Sequence, residues 1–296
     1  MVDERYYDDR DGFIWLDGKL VPWREANVHV LTHALHYASS VFEGQRAYGG
    51  EIFRLTDHSK RLKRSGEILG FDIPWTVEQI DEACREVLRA NNLEDAYVRP
   101  VAWRGSEQMG VSAQKSKIHL AIAAWYWGAY FGEEAIRKGL RVDISPWRRP
   151  APYTAPTESK ASGLYMICTM ARHQAQARGY DDALMFDWRG QVAEGTGANV
   201  FLVRDGKLHT PTPDCFLNGL TRQTVISLAR KRGIEVIERT IWPEELESFE
   251  QMFFTGSAAE LTPVASAGPW NFEVGEMSLQ LRRDYIDLAN RRISNS

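Results

Sequence analysis

The stretch that decides the fold of this chain is residues 194–201, which read EGTGANVF. Glycines at positions 195 and 197 follow Glu194 closely, so its carboxylate is expected on a tight glycine-rich turn. The apolar residues 200–203 that come next have a strand pattern. A carboxylate held on such a turn can accept a hydrogen bond from a protonated ring nitrogen.

Lys160 precedes this turn, within the small-residue segment 157–163 (TESKASG) and directly before a helical pattern. A lysine there can form a Schiff base with an aldehyde, and an anion such as Glu194 can keep a pyridine ring protonated. Pyridoxal phosphate chemistry requires that pair of groups. Taken singly, such a lysine is usually a solvated surface residue and such a glutamate is usually a turn residue, so the pair depends on the longer pattern around it.

That longer pattern resembles a known enzyme family. It continues at fixed offsets with Leu208, Thr210, Leu217, Gly219, Leu220, Thr221 and Arg222. Together these residues resemble the fold-type IV, or class IV, aminotransferases, and most of all the branched-chain amino acid aminotransferases. The resemblance covers nearly the whole chain. It implies an α+β, two-domain fold of the D-amino acid aminotransferase type, with a smaller N-terminal α/β domain, a larger C-terminal domain and pyridoxal 5′-phosphate between them.

Composition and charge exclude several other classes of protein. The 296 residues are 44% hydrophobic and 26% charged, which is typical of a globular protein with a sizeable core. A net charge of −4 argues against a nucleic-acid or anionic-membrane partner. The basic run 60–64 (KRLKR) is interleaved with an apolar position and indicates the solvated face of a helix.

The cysteines and the start of the chain point to a reducing compartment. Cys84, Cys168 and Cys215 are odd in number and widely spaced, so neither a disulfide framework nor a metal site is expected. The acidic start is unlike a secretory signal, and no apolar run reaches membrane-spanning length. We therefore expect a cytoplasmic protein with no metal and no membrane association.

The first half of the chain is predicted to be α+β with antiparallel hairpins. Strands 13–16 and 20–23 flank one turn, and strands 45–48 and 51–55 flank another. Thr56 is expected to cap a helix that starts at Asp57, and Thr76 a second helix that runs towards residues 91–92. Two longer strands are predicted at 96–104 and 118–125.

In the second half, a strand is predicted at 140–144 and a loop at 146–156, where prolines and arginines lack periodicity. Helices are predicted at 164–177, 221–233 and 277–293. We expect an N-terminal small domain over residues 1–130, a linker over 131–138 and a C-terminal cofactor-binding domain over 139–296, with a pocket between the two domains.

The resemblance implies a set of cofactor-binding residues. Lys160 is the Schiff-base lysine and the catalytic base, Glu194 binds the ring nitrogen, and Arg54 clamps the phosphate. Tyr165 lies near the ring oxygen, and Asn199 orients the loop or the ring. The remaining members are two turns that can hold phosphate through hydroxyl and amide groups, at Leu217, Leu220 and Thr221 and at Ser257. The chain departs from the family at Leu164, Ala198 and Ser257, where asparagine, glutamate and threonine are more common.

The resemblance also implies how substrates are bound. In the branched-chain enzymes, aromatic side chains form an apolar pocket, and a tyrosine and an arginine at its rim accept the second carboxylate of glutamate. The alternative roles are core packing for Phe42 and Trp127 and a structural ion pair for Arg99. The implied substrate-binding residues are Tyr37, Phe42, Gly44, Arg46, Tyr97, Arg99, Val111, Trp127, Tyr130, Ser257 and Ala258.

The implied activity is ping-pong transamination between L-leucine, L-isoleucine or L-valine and 2-oxoglutarate. An (R)-selective amine transaminase is a rival, for which Trp103 and Trp125 could reshape the pocket. A D-amino acid aminotransferase is less favoured, because residues 99–101 (RPV) lack the histidine of its Arg-x-His pair. An aminodeoxychorismate lyase would not need the Tyr97 and Arg99 rim, and a non-catalytic cofactor binder would tolerate loss of Lys160. A homodimer or larger homo-oligomer is implied, because the segment around Tyr37 completes the neighbouring subunit's pocket in relatives.

Overall fold

The computed structural model describes residues 6–128 and 132–292, which divide into two compact units. Unit 1 contains residues 6–128 together with Ser159–Gly163, and unit 2 contains residues 132–158 and 164–292. Lys160 therefore belongs to unit 1, to which the chain returns for five residues. A division at 1–130, 131–138 and 139–296 stays a prediction.

Unit 1 is built on a seven-stranded antiparallel sheet in the order β2-β1-β7-β6-β4-β5, with β3 paired to β6. Both predicted hairpins are confirmed, and Asp17 and Gly18 form the first turn with positive φ angles of 50° and 100°. The strands are β1 Phe13–Leu16, β2 Lys19–Pro22, β3 Ser40–Phe42, β4 Gln45–Tyr48, β5 Glu51–Ile52, β6 Ala96–Arg104 and β7 Ile118–Tyr126.

The helices of unit 1 are α1 His33–Tyr37, α2 Leu55–Ile68 and α3 Val77–Ala90. The predicted cap of α3 is confirmed, since Thr76 and Gln79 form a reciprocal capping box. The predicted cap of α2 is wrong, because the helix begins at Leu55 and the Thr56 hydroxyl instead donates to Asp81 Oδ2 at 2.6 Å. Thr56 is the second residue of the helix, so it cannot be the residue that precedes and caps it.

The two faces of the unit 1 sheet differ in chemistry because successive side chains of a strand point to opposite faces. The face packed against the helices is apolar and includes Val41, Ala47, Val98, Leu120 and Ile122. The strand registers place the other set on one opposite face, since Arg46 pairs with Tyr97, Tyr97 with Trp125 and Phe42 with Val101. That opposite face carries Phe42, Arg46, Tyr97, Arg99 and Trp125.

Unit 2 is built on a nine-stranded mixed sheet in the order β10-β9-β8-β15-β14-β11-β12-β13, with β16 beside β15. An additional pairing of β10 with β11 closes six of these strands into a ring. The strands are β8 Leu140–Arg149, β9 Asp182–Asp187, β10 Val192–Gly195, β11 Asn199–Arg204, β12 Lys207–Pro211, β13 Val236–Arg239, β14 Gln251–Gly256, β15 Glu260–Ala267 and β16 Trp270–Asn271.

The helices of unit 2 are α4 Gly132–Lys138, α5 Tyr165–Ala177, α6 Leu220–Lys231 and α7 Glu276–Ala289. The sequence predicts the last three to within a few residues. The predicted loop at 146–156 is wrong over its first residues, because β8 runs to Arg149 and a register shift after Ile144 accommodates the proline. Within the described ranges, no helix has both the length and the apolarity needed to cross a bilayer.

Candidate active site

Lys160 lies in a cluster of charged side chains in unit 1. Its backbone N–H donates to Ser65 Oγ at 3.0 Å, and its carbonyl accepts from the Phe42 N–H at 3.2 Å. The amine lies 5.1 Å from the centre of the Phe42 ring. Burial and the nearby Arg61 cation lower the pKa of Lys160 to about 8, although Glu43 opposes this shift. The amine is thereby shifted towards its neutral, nucleophilic form.

Glu43 is the buried carboxylate of this cluster. Arg61 Nε and Nη2 donate to its two oxygens at 2.6 and 2.8 Å, and His58 Nδ1 lies 2.7 Å from Oε2. Burial alone would raise the pKa of Glu43, but Arg61 and His58 hold it well below its usual range. Burial lowers the pKa of His58 despite the adjacent anion. Glu43 therefore stays ionised beneath Lys160 and Arg61.

Arg54, which precedes α2, and Arg61, which lies within it, have different surroundings. Arg54 directly precedes the helix and has a φ of 53°. Its Nε lies 2.7 Å from Asp57 Oδ2, three residues further along the chain. Arg61 lies in the Lys160 cluster, with 17% of its side chain exposed, so the predicted solvated face of residues 60–64 is wrong at this position. Helical spacing could have revealed it, since His58, Arg61 and Ser65 share the buried side of α2.

The predicted substrate-binding residues of unit 1 mostly come together on the sheet face opposite the core. Arg99 Nη2 donates to Tyr97 Oη at 2.9 Å, and its guanidinium lies 4.6 Å from the Phe42 ring centre. Gly44 is required beside them, because a Cβ there would lie 1.9 Å from Tyr97 Oη. Arg46 donates to the Trp127 and Gly128 carbonyls at 3.5 and 3.4 Å.

Two further predicted residues do not join this group. Tyr37 lies on α1, is 44% exposed and stacks on His33. Val111 lies in a loop and is 89% exposed. Tyr130 lies outside the described residues. Tyr37 and Val111 are thus surface residues of the single chain.

In unit 2, Glu194 lies at the end of β10 opposite Asn199 of β11. Asn199 Nδ2 donates to Glu194 Oε2 at 3.1 Å and to the Leu217 carbonyl at 3.0 Å, while its Oδ1 accepts from the Gly219 N–H at 3.1 Å. A Cβ on Gly219 would lie 2.3 Å from that Oδ1. Asn199 therefore connects the carboxylate to the start of helix α6.

Arg149 is a partner of Glu194 that the sequence did not reveal. It lies on β8, is 4% exposed, and its Nε is 3.3 Å from Glu194 Oε1. Burial lowers the pKa of Arg149, but the Glu194 charge and three weaker neighbouring groups together outweigh burial, so the pKa is raised overall. The sequence hides this residue because the aperiodic stretch 146–156 predicts a loop. A cation at this position favours an ionised Glu194.

The remaining predicted residues of unit 2 lie at turns and at helix starts. Helix α6 begins at Leu220 after Gly219, which offers no side-chain cap, and Leu220 and Thr221 are buried. Ser257 and Ala258 are half-buried in the turn between β14 and β15. Tyr165 is the first residue of α5, and its phenol contributes to raising the pKa of Arg149. Backbone N–H groups at a helix start and at a turn can bind an anion.

Known proteins resemble this chain over most of its length. The family model for class IV amino-transferases matches residues 40–267. The branched-chain-amino-acid aminotransferase of Pseudomonas aeruginosa is 44% identical over 289 residues, which cover 95% of this chain and 94% of that protein. The T.th. branched-chain amino acid aminotransferase with pyridoxamine 5′-phosphate has a TM-score of 0.92 and 40% identity, covering 96% of both chains. The branched-chain aminotransferase of Thermoproteus uzoniensis with norvaline has a TM-score of 0.90 and 40% identity, covering 95% of both.

Proposed function

Because this chain belongs to the class IV aminotransferase family, we propose that it transfers amino groups between L-branched-chain amino acids and 2-oxoglutarate. The observation that carries the proposal is the half-buried Lys160 with its lowered pKa of about 8. The products are branched-chain 2-oxo acids and L-glutamate, formed in two half-reactions at one site. The relatives named above support this choice of substrates.

The cofactor is pyridoxal 5′-phosphate, and the residues present fit its three reactive parts. The aldehyde needs an amine, the basic ring nitrogen needs an anion, and the phosphate needs cations and N–H groups. Lys160 offers the amine, and Glu194, held by Asn199 and Arg149, offers the anion. When bound, pyridoxal phosphate supplies an electron sink for the charge left when the α-proton is removed.

Lys160 acts as nucleophile and as general base. At pH 7 an amine with a pKa of about 8 is neutral in roughly one molecule in ten, against fewer than about one in a thousand for an ordinary lysine. With the cofactor bound, Lys160 Nζ would be the amine that holds its aldehyde group. Once the amino acid has taken that place, the released Lys160 amine would remove the α-proton and carry it. Glu194 would accept a hydrogen bond from the ring nitrogen and so keep it protonated.

We assign the principal phosphate contact to Arg61 and not to Arg54. Arg61 acts electrostatically on Lys160, whereas Arg54 is paired with Asp57 of its own helix turn. The N-terminus of α6 at Leu220 and Thr221, together with Ser257, supplies amide and hydroxyl donors. The Leu217 carbonyl accepts a hydrogen bond from Asn199 and so positions it. The phenol of Tyr165 binds the oxygen substituent of the cofactor's ring.

The sheet face of unit 1 supplies the substrate contacts. Phe42, Tyr97 and Trp127 are apolar walls for an aliphatic side chain, and Gly44 leaves room for Tyr97. Arg99, with Tyr97 Oη, binds the second carboxylate of glutamate, which a branched-chain substrate lacks. Ser257 and Ala258 hold the α-carboxylate, and Arg46 supports the backbone of residues 127–128.

Two properties of the assembled protein complete the proposal. Exposed apolar side chains over residues 28–37 support a homodimer, in which Tyr37, Val111 and Tyr130 would serve the site. The three cysteines are free thiols in the structure, which supports a cytoplasmic location.

The test is to mix the holoenzyme with L-leucine and then with 2-oxoglutarate while recording the cofactor spectrum. We expect a reversible change of absorbance in both steps, and its loss in Lys160→Ala with turnover lower by at least about 10²–10⁴-fold. The exposed Lys60→Ala variant is the matched control. Reaction with (R)-1-phenylethylamine or D-leucine in preference to L-leucine would contradict the substrate assignment, and an unreactive cofactor would contradict the activity.

A further inference from the structure

Trp125 lies on the same sheet face as the proposed substrate-binding residues, although the resemblance gives it no role. It is the register partner of Tyr97 across β6 and β7, and partners of an antiparallel pair point to the same face. Its ring centre is 5.2 Å from that of Tyr97 and 6.0 Å from that of Trp127. Trp125 therefore contacts two proposed walls of the amino-acid site.

Packing fixes the orientation of Trp125. Its indole Nε1–H is buried, and within residues 6–128 and 132–292 no hydrogen-bond acceptor reaches it. A buried indole usually finds such an acceptor, and without one no directional bond sets the rotamer. The position of the Trp125 ring therefore depends on packing, to which the neighbouring rings contribute.

The third of these neighbours comes from the start of the chain. Tyr7 lies outside any helix or strand, and its ring meets Trp125 edge-on, at 5.4 Å between centres and 78° between planes. Tyr7 is 57% exposed, so the contact with Trp125 is not a consequence of deep burial. An edge-to-face pair of this kind has a defined geometry.

The segment that carries Tyr7 is fastened to unit 1 at several points. Trp23 Nε1 donates to the Tyr7 carbonyl at 2.7 Å, and the buried Arg10 guanidinium lies 4.1 Å from the Tyr7 ring centre. Arg24 pairs with Asp9 at 2.6 Å and with Asp11 at 2.9 Å. The position of Tyr7 is thus fixed, which enables it to hold Trp125.

We propose that Trp125 is a specificity-determining residue of the amino-acid site and that Tyr7 is the positioning residue that fixes its ring. This inference rests on the proposed function. The Trp125 ring packs beside the Tyr97 ring on the same sheet face. The Tyr97 hydroxyl in turn accepts the Arg99 hydrogen bond at 2.9 Å. A fixed Trp125 keeps the aromatic wall closed to large aryl side chains while it admits branched aliphatic ones.

The test compares single half-reactions with L-leucine and L-phenylalanine in the parent holoenzyme, Tyr7→Ala and Trp125→Phe. In both variants the preference for leucine should fall by about two- to tenfold, the effect of an aromatic pair on an equilibrium. Most of this change should lie in the apparent dissociation constants of the two donors. The limiting rate constants should change less, because the groups around Lys160 are unaltered.

Two controls separate positioning from general stability. Tyr7→Phe keeps the ring and should restore the parent preference, while Phe13→Ala removes another exposed aromatic of unit 1 and should not alter it. A Tyr7→Ala variant of lower unfolding free energy but unchanged preference would overturn the inference and leave the proposed function intact. A parent enzyme that accepts an amino group from no donor would overturn both.

Discussion

At the scale of single residues, Lys160 shows how residues that are distant in sequence but close in space determine the reactivity of a side chain. An isolated lysine is charged at neutral pH, yet burial and Arg61 lower the pKa of Lys160 to about 8. Glu43 limits this shift, because its charge favours the protonated amine. The chemistry proposed here depends on that balance.

The balance can be measured through pH dependence. The rate at which the cofactor-free protein condenses with pyridoxal phosphate should rise with pH and level off near the Lys160 pKa of about 8. Glu43→Gln removes the charge that raises this pKa, while Arg61 and Arg99 still lower it, so the midpoint should move to lower pH. A midpoint near that of free lysine, or an upward shift in Glu43→Gln, would contradict this account.

Arg61 and Arg54 give a second prediction at this scale. Arg61→Lys keeps a cation beside Glu43 but loses the planar donor fork, so the cofactor should leave more readily during dialysis against phosphate buffer. A lost charge-assisted hydrogen bond corresponds to about 1.5–3 kcal/mol. Arg54→Lys, the same substitution at the residue that precedes this helix, should retain cofactor like the parent. The reverse order would restore Arg54 as the phosphate ligand.

At the scale of elements, Asn199 ties a strand end to a helix start. Its side chain joins Glu194 of β10 to Leu217 and to Gly219, the residue before α6. Gly219 has no special backbone conformation, so glycine is needed there for space alone. The closure of the ring at β10 and β11 places these groups together.

A single methyl group tests this connection. Gly219→Ala would place a Cβ 2.3 Å from Asn199 Oδ1, displacing the amide from Glu194, so both turnover and cofactor affinity should fall. The displacement breaks the hydrogen bond to the charged Glu194, which corresponds to about 1.5–3 kcal/mol, or roughly one to two decades. Gly197→Ala is the matched control, since no described atom lies within 4 Å of its Cβ position. Equal activity of the two variants would remove Asn199 from the site.

At the scale of the whole molecule, unit 1 exposes an unusual number of apolar side chains over residues 28–37. Val30 is 70% exposed and Leu35 is 64% exposed. Contact between apolar side chains and water is unfavourable, and a contiguous apolar surface of this kind usually binds another protein chain. We therefore expect these residues to be covered in the native protein.

Sedimentation velocity tests this expectation. The parent should sediment as a dimer or a larger oligomer of the 33.8 kDa chain, and Leu35→Asp should shift it towards the monomer and lower turnover. Tyr153→Ser removes an equally exposed aromatic from unit 2 and should leave the mass unchanged. A monomeric, fully active parent would exclude a shared site.

The sequence by itself determined the family and most of the helices and hairpins, and it predicted the Lys160 and Glu194 pair. These depend on local signals, such as the glycine turn after Glu194 and the Thr76 capping box. Periodicity and turn chemistry act over a few residues, so they can be read directly from the chain.

Only the tertiary structure decided which charges surround those two residues. Arg61 and Arg149 looked like a helix surface and a loop, yet each lies beside a buried carboxylate distant in sequence. Trp125 likewise joins the substrate face only through its register with Tyr97. For Arg149 and Trp125 the reason is long-range strand register, since a one-residue change of register would move either side chain to the other face of its sheet. For Arg61 the reason is the packing of α2 beside Glu43.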